Sequence, residues 1–257
     1  MDTQRFEDAC HAVIGGERER DGIGTLGEKT LHAVLKRYFE PCADCHEIKV
    51  GGFVADILGE DGIIEIQTAG FDRLRKKLAA FLDCTRVTVV YPIPQTKYLC
   101  WIDPATGAVT KKRKSPKTGT VCDAFYELYK IKPLLLHPHL RLCFVLLEMT
   151  EYRYLNGWSA DKKKGSSRHD RIPTALRGEL YAESASDYAA LLPDALPPAF
   201  ISKDLARSAR LSRSSAQKAL NVLYHIGAVR RVGKQGNAIV YERCEAGIPP
   251  TPAYPAL

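Results

Sequence analysis

In the stretch VADILGEDGIIEIQT, Val54 to Thr68, each of two apolar runs carries one acid: Asp56 in the first and Glu65 in the second. Gly-Glu-Asp-Gly stands between them, so the stretch reads as an antiparallel hairpin centred on Glu60-Asp61. That register sets Leu58 opposite Ile63 and Asp56 opposite Glu65. Directly opposed Cβ atoms lie ~4.5–5.5 Å apart on one face. Gln67, two residues past Glu65, shares that face. Two carboxylates so close repel, and a divalent cation relieves the conflict, since Mg²⁺ takes one or two carboxylates plus water and phosphate oxygens. An edge hairpin with two solvated acids explains the same letters. A third acid, Glu28, with His32 one turn later, can approach the sheet edge if Leu31 and Leu35 face inward. Gln67 can orient a water or bind metal through its amide oxygen, but it cannot supply a positive charge.

These residues need elements to hold them. TLGEKTLHAVLKRYF has apolar residues at helical spacing and is closed by Pro41. HEIKVGGFVADIL and GIIEIQT read as strands, FDRLRKKLAAFL as an amphipathic helix, and RVTVVYPIP as a strand stopped by its prolines. KYLCWIDPATGAV has strand character, VCDAFYELYKIKPLL reads as a helix, and LRLCFVLLEM as a buried strand. The order predicts an α/β domain.

Helix with Glu28, strand with Asp56, strand with Glu65-Ile66-Gln67, helix, strand: over residues 25–94 this arrangement resembles the PD-(D/E)xK nuclease superfamily. The resemblance implies a restriction-endonuclease-like mixed sheet flanked by helices. It also implies Mg²⁺ or Mn²⁺ held by Asp56, Glu65 and Glu28, and hydrolysis of phosphodiester bonds with Glu28, Asp56, Glu65 and Gln67 as the catalytic set. The family usually has Lys where this chain has Gln67, so the cation must come from elsewhere. Lys49, Lys76, Lys77 and Lys97 are the candidates.

The net charge is +7. From Phe200 to Cys244 there are nine basic and two acidic residues, so this segment alone accounts for 9 − 2 = +7. Concentrated charge points to a polyanion partner. The segment FISKDLARSARLSRSSAQKALNVLYHIGAVRRVGKQGNAIVYER resembles a winged helix-turn-helix, with a wing tip at Gly233-Lys234-Gln235-Gly236. The resemblance implies a small DNA-reading domain on duplex DNA. Its recognition helix offers Arg213, Ser214, Gln217, Lys218 and Asn221 to base edges, while Arg230, Arg231 and Lys234 meet phosphates. A winged unit used for protein contacts is the alternative. Between the domains, the polar and basic run LNGWSADKKKGSSRHDRIPT reads as a linker or a strap that lays Lys162, Lys163, Lys164, Arg168 and Arg171 along DNA.

The expected organisation is a nuclease-like domain at 1–154, a basic linker at 155–186, a winged unit at 187–245 and a Pro-rich tail at 246–257. No apolar run approaches the ~20 residues of a membrane helix, and the N-terminus lacks a signal core. A cytoplasmic protein without membrane contact is expected, with a homodimer open as its assembly. The eight cysteines are expected as buried thiols. Cys42, Cys45 and His46 lack the second ligand pair that a zinc site requires. The readings left open are an endonuclease in defence or repair, a DNA-binding regulator on an inactive nuclease fold, and a scaffold in a nucleoprotein complex.

Overall fold

The computed structural model describes residues 1–18, 30–157 and 166–244. Helix α1 (Thr3–Arg18) precedes α2 (Thr30–Phe39), and strands β1 (His46–Val50), β2 (Phe53–Gly59) and β3 (Gly62–Ile66) follow. Next come α3 (Phe71–Leu82), the long β4 (Val87–Ile102), the short β5 (Arg113–Lys114) and α4 (Phe125–Leu128). Strands β6 (Leu140–Tyr154) and β7 (Ser167–Ala182) complete one sheet. The C-terminal unit holds α5 (Ala185–Ala190), β8 (Ala199–Phe200), α6 (Ser202–Ser208), α7 (Arg213–His225), β9 (Val229–Gln235) and β10 (Ala238–Arg243).

The protein is α/β, with a seven-stranded mixed sheet flanked by helices. Its order is β1-β2-β3-β4-β6-β7, and β5 pairs with β4. The β3–β4 and β4–β6 pairs are parallel and the others antiparallel. Alternation along the central strands feeds two cores. Val90, Val145 and Leu147 meet Phe6, Leu31, Val34 and Leu35 of α1 and α2 on one side. Val87, Val89 and Phe144 meet Leu74, Leu78 and Phe81 of α3 on the other. Each buried Leu, Val or Phe contributes roughly 1.5–3 kcal/mol, so both helical layers are held by side chains spaced for them in sequence. No helix among the described residues is long and apolar enough to cross a membrane.

Three sequence expectations change. Strand β4 does not stop at its prolines but runs through Pro92 and Pro94 to Ile102. The β3 ladder ends at Ile66↔Val90, and residues two and four beyond Val90 present their main-chain groups to that same vacated side. The missing N–H groups of Pro92 and Pro94 therefore cost no ladder bond, and the Pro94 carbonyl accepts the Gly119 amide at 3.1 Å. The expected helix over 121–135 is broken into a 3-10 turn, the single-turn α4 and a second 3-10 stretch containing Pro133.

The expected linker over 155–186 is largely strand. Ser167–Ala182 pairs antiparallel with β6 from Tyr154↔Ser167 to Leu142↔Ala182. Strand β7 lies at the sheet edge with mostly half-exposed residues, so its sequence lacks the apolar alternation that marks interior strands. Lys162, Lys163 and Lys164 lie outside the described residues, as does the tail at 246–257. The C-terminal unit packs against the sheet domain. Leu220 and Leu223 of α7 belong to the same buried cluster as Phe125, Leu128 and Phe144.

Candidate functional site

The β2–β3 hairpin turns at Glu60-Asp61 and pairs Gly59↔Gly62, Leu58↔Ile63 and Ile57↔Ile64, which is the expected register. The ladder stops one pair short of Asp56 and Glu65. In a continued ladder the Ile66 amide would bond the main chain of Ala55. Instead it donates to Asp56 Oδ2 at 2.7 Å. Strand β2 therefore diverges where the acids sit, and Asp56 fills the opening with its carboxylate.

Each carboxylate draws its partner from a different helical layer. His32 Nε2 of α2 lies 3.2 Å from Asp56 Oδ2. Lys77 Nζ of α3 forms an ion pair with Glu65 Oε1. Glu65 is 2% exposed, and its Oε2 is buried with no hydrogen-bond partner among the described residues. Burial, then the charge of Asp56, pushes the Glu65 carboxyl up to about 7 against the pull of Lys77. Burial also acts to raise Asp56, but the bond and charge of His32, the Ile66 amide and Lys77 outweigh it and hold Asp56 below the ordinary range.

The arrangement is thus two neighbouring carboxyls, one ionised and one titrating near neutrality, with an ammonium and an imidazole beside them. Among the described residues no three His, Cys, Asp or Glu side chains form a metal-holding group. Mg²⁺ does not require three protein ligands, and the orphaned Glu65 Oε2 beside Asp56 has the character of a cation ligand. Asp56 and Glu65 fit a divalent ion.

The other expected site residues fall as follows. Glu28 lies outside the described residues. Gln67 donates its side-chain amide to the Ala69 carbonyl at 2.5 Å, a contact within its own loop, while its main-chain N–H bonds Val90 at 2.9 Å. Of the four candidate lysines, Lys77 reaches the acids. Lys97 pairs with Glu151 at 3.2 Å, and Lys49 and Lys76 are exposed. Lys77 follows Leu74 by three positions and precedes Leu78, which sets it at the margin of the buried face of α3. Neither His32 against Asp56 nor the cations around Glu151 were foreseen. Of the latter, Arg168 depends on β7, whose strand character the sequence hides. Cys42 is exposed and His46 bonds the Glu40 carbonyl at 2.8 Å.

In the C-terminal unit, Ser212 caps α7 by accepting the Ser215 amide at 3.0 Å. Arg213, Ser214 and Gln217 are exposed on its first turns. Lys218 and Asn221 face the sheet domain instead: the Lys218 ammonium lies 3.9 Å from the Tyr126 ring centroid, and Asn221 Oδ1 accepts from Lys132 Nζ at 2.9 Å. Arg230 pairs with Glu242 at 2.9 Å, Arg231 stacks 4.0 Å from the Tyr224 ring centroid, and Lys234 is exposed. The β9–β10 turn is Gly236-Asn237, between Gln235↔Ala238, a tighter tip than the expected Gly233 to Gly236. Arg168 lies on β7, 3.9 Å from Glu151.

Comparison with known proteins adds a family. A family model described as "Domain of unknown function (DUF8091)" matches residues 29–183. The chain belongs to this family. The matched span opens at α2 and closes just after β7, so it takes in the whole seven-stranded sheet and both helices that contact Asp56 and Glu65. An uncharacterized protein of Treponema pallidum (strain Nichols) is 30% identical over 228 residues, which cover 86% of this chain and 87% of the relative. No solved structure matches the chain.

Proposed function

We propose that this DUF8091 chain is a metal-dependent DNA endonuclease of the PD-(D/E)xK type, directed to duplex DNA by a C-terminal winged helix-turn-helix. The observation that carries the reading is Lys77. It brings to Glu65, from the following helix, the positive charge that Gln67 cannot supply. Asp56 and Glu65 would hold Mg²⁺ or Mn²⁺, with Glu28 as a further candidate ligand outside the described residues. A bound ion would supply Lewis acidity and a more acidic water. His32 fixes the orientation and ionisation of Asp56. Lys77 offers an ammonium to orient the attacking water and to offset charge on the scissile phosphate. Because Glu65 titrates near neutrality without an ion, protonation and metal binding would compete at its carboxylate.

The reader would be the exposed start of α7, where Arg213 can address guanine and Gln217 adenine. Arg230, Arg231 and Lys234 on the β9–β10 hairpin would meet phosphates. DNA binding without cleavage is the second reading, favoured by Gln67 being turned onto Ala69. Metal-dependent nicking of plasmid DNA, abolished by Asp56→Ala, supports the enzyme. Tight duplex binding with no cleavage in Mg²⁺ or Mn²⁺ selects the second reading.

A further inference from the structure

Beyond the end of β3, β4 continues over a cavity of about 210 Å³, lined by apolar residues such as Ile93 and Pro94 and by Lys97, Lys117, Arg168, Arg171, Asp123 and Glu151. Four cations against two acids leave +2 on the walls. The acids are already committed. Asp123 pairs with Lys117 at 3.2 Å. Glu151, 1% exposed, is shared by Lys97 at 3.2 Å, Arg153 at 2.5 Å and Arg168 at 3.9 Å. Arg171 is left over: its Nε is buried with no hydrogen-bond partner among the described residues. Burial, then the like charge of Arg168, work against its ionised form, and Glu151, Tyr91 and Asp170 act in its favour without fully offsetting them. Glu151 stands opposite Arg171 across the β6–β7 ladder, yet it is taken up by Lys97, Arg153 and Arg168, and no ion pair among the described residues reaches the Arg171 guanidinium.

The size and chemistry of the cavity narrow the anion. Pockets that enclose drug-sized ligands run to ~300–1,000 Å³, so this one suits a single oxyanion group and not a whole nucleoside. Guanidinium forks and ammonium groups match the oxygens of phosphate. Tyr91 also lines the cavity, and burial raises its phenol to about 12, so at neutral pH it keeps its proton and can donate.

We propose that this cavity is a phosphoryl-binding site, built on Arg171, Lys97, Arg168 and Lys117 and separate from the Asp56–Glu65 pair. Its ligand is a phosphate monoester at a nucleic-acid strand end or free inorganic phosphate. The strand end as source rests on the proposed nuclease reading, whereas the anion site does not. Glu65 stands opposite Val89, and Tyr91 lies two residues on, about 7 Å along the strand. A strand whose end is seated here would therefore pass close to the acids.

The test uses the full chain in EDTA. Inorganic phosphate is titrated by calorimetry in chloride buffer, and short duplexes carrying 5′-phosphate or 5′-hydroxyl ends are compared by fluorescence anisotropy. The expected result is saturable one-to-one phosphate binding, weakened about tenfold or more by Arg171→Gln. Lys117→Ala, at the exposed rim, should weaken it as well and serves if the buried substitution does not fold. Asp56→Ala should leave it unchanged, which separates this site from the nuclease reading. Tighter binding of phosphate-ended duplex identifies a strand end as the source. Equal binding of the two duplexes, with phosphate still bound, identifies the free ion. Absence of phosphate binding together with equal duplex binding overturns the proposal, as does phosphate binding untouched by both cavity variants.

Discussion

Replacing Glu65 with Gln removes a carboxylate that the fold holds protonated far above its ordinary range. The unfolded group titrates at 4.5 and the folded one at about 7. Between these values the folded state binds more protons than the unfolded state, so stability falls as pH rises through the window and levels off above it. A difference of about 2.5 units corresponds to roughly 3 kcal/mol. The wild-type chain should therefore lose that amount between pH 4.5 and pH 8 through this group alone, and Glu65→Gln should not. Urea unfolding of both proteins at pH 5 and pH 8 gives the difference of differences. Lys77 loses its partner in the variant at both pH values, so that penalty cancels. A divalent ion at the pair should restore wild-type stability at pH 8, by about 2.7 kcal/mol at a hundred times Kd, and should do far less for the variant. Parallel pH profiles for the two proteins would refute the buried, raised Glu65 carboxyl beside an ionised Asp56.

Three further outcomes follow from the geometry. Gly62→Ala should disrupt the hairpin, because Gly62 has φ +109° and an added Cβ would lie 2.3 Å from the Arg86 carbonyl oxygen; a fall in thermal midpoint with loss of near-UV circular dichroism is the readout. Lys218→Ala should cost about 0.5–1 kcal/mol of stability through its contact with Tyr126 and leave duplex affinity nearly unchanged, whereas Arg213→Ala should weaken duplex binding at constant stability. Lys234→Ala should reduce the slope of log affinity against log salt by about 1, measured by anisotropy.

The hairpin was legible because a Gly-Glu-Asp-Gly turn and alternating apolar residues fix one register, and Ile57↔Ile64 obeys it. The divergence at Asp56 was not, because it depends on His32 arriving from another layer. Helix α3 was legible over Phe71–Leu82, yet its length alone could not choose between the adjacent Lys76 and Lys77. Side-chain direction around the helix made that choice. Helix α7 and its serine cap were legible. The face it turns toward Tyr126 and Lys132 was not, because the sequence gives no sign that the unit docks. Strand β7 was hidden by its edge position, and with it the cavity. Its polar, basic residues describe an open strand and a linker equally well until β6 is placed beside them.

The central claim is that Asp56, Glu65 and Lys77 form one hydrolytic site. Its most direct test is the rate of supercoiled plasmid nicking with and without Mg²⁺ or Mn²⁺, for wild type, Asp56→Ala and Lys77→Met, each shown folded by circular dichroism. Cleavage that requires the ion, vanishes in Asp56→Ala and falls about 10²–10³-fold in Lys77→Met, as expected for removal of one charge-stabilising donor, is the predicted result. Cleavage unchanged in Lys77→Met, or no cleavage by the wild-type chain with either ion, would contradict it.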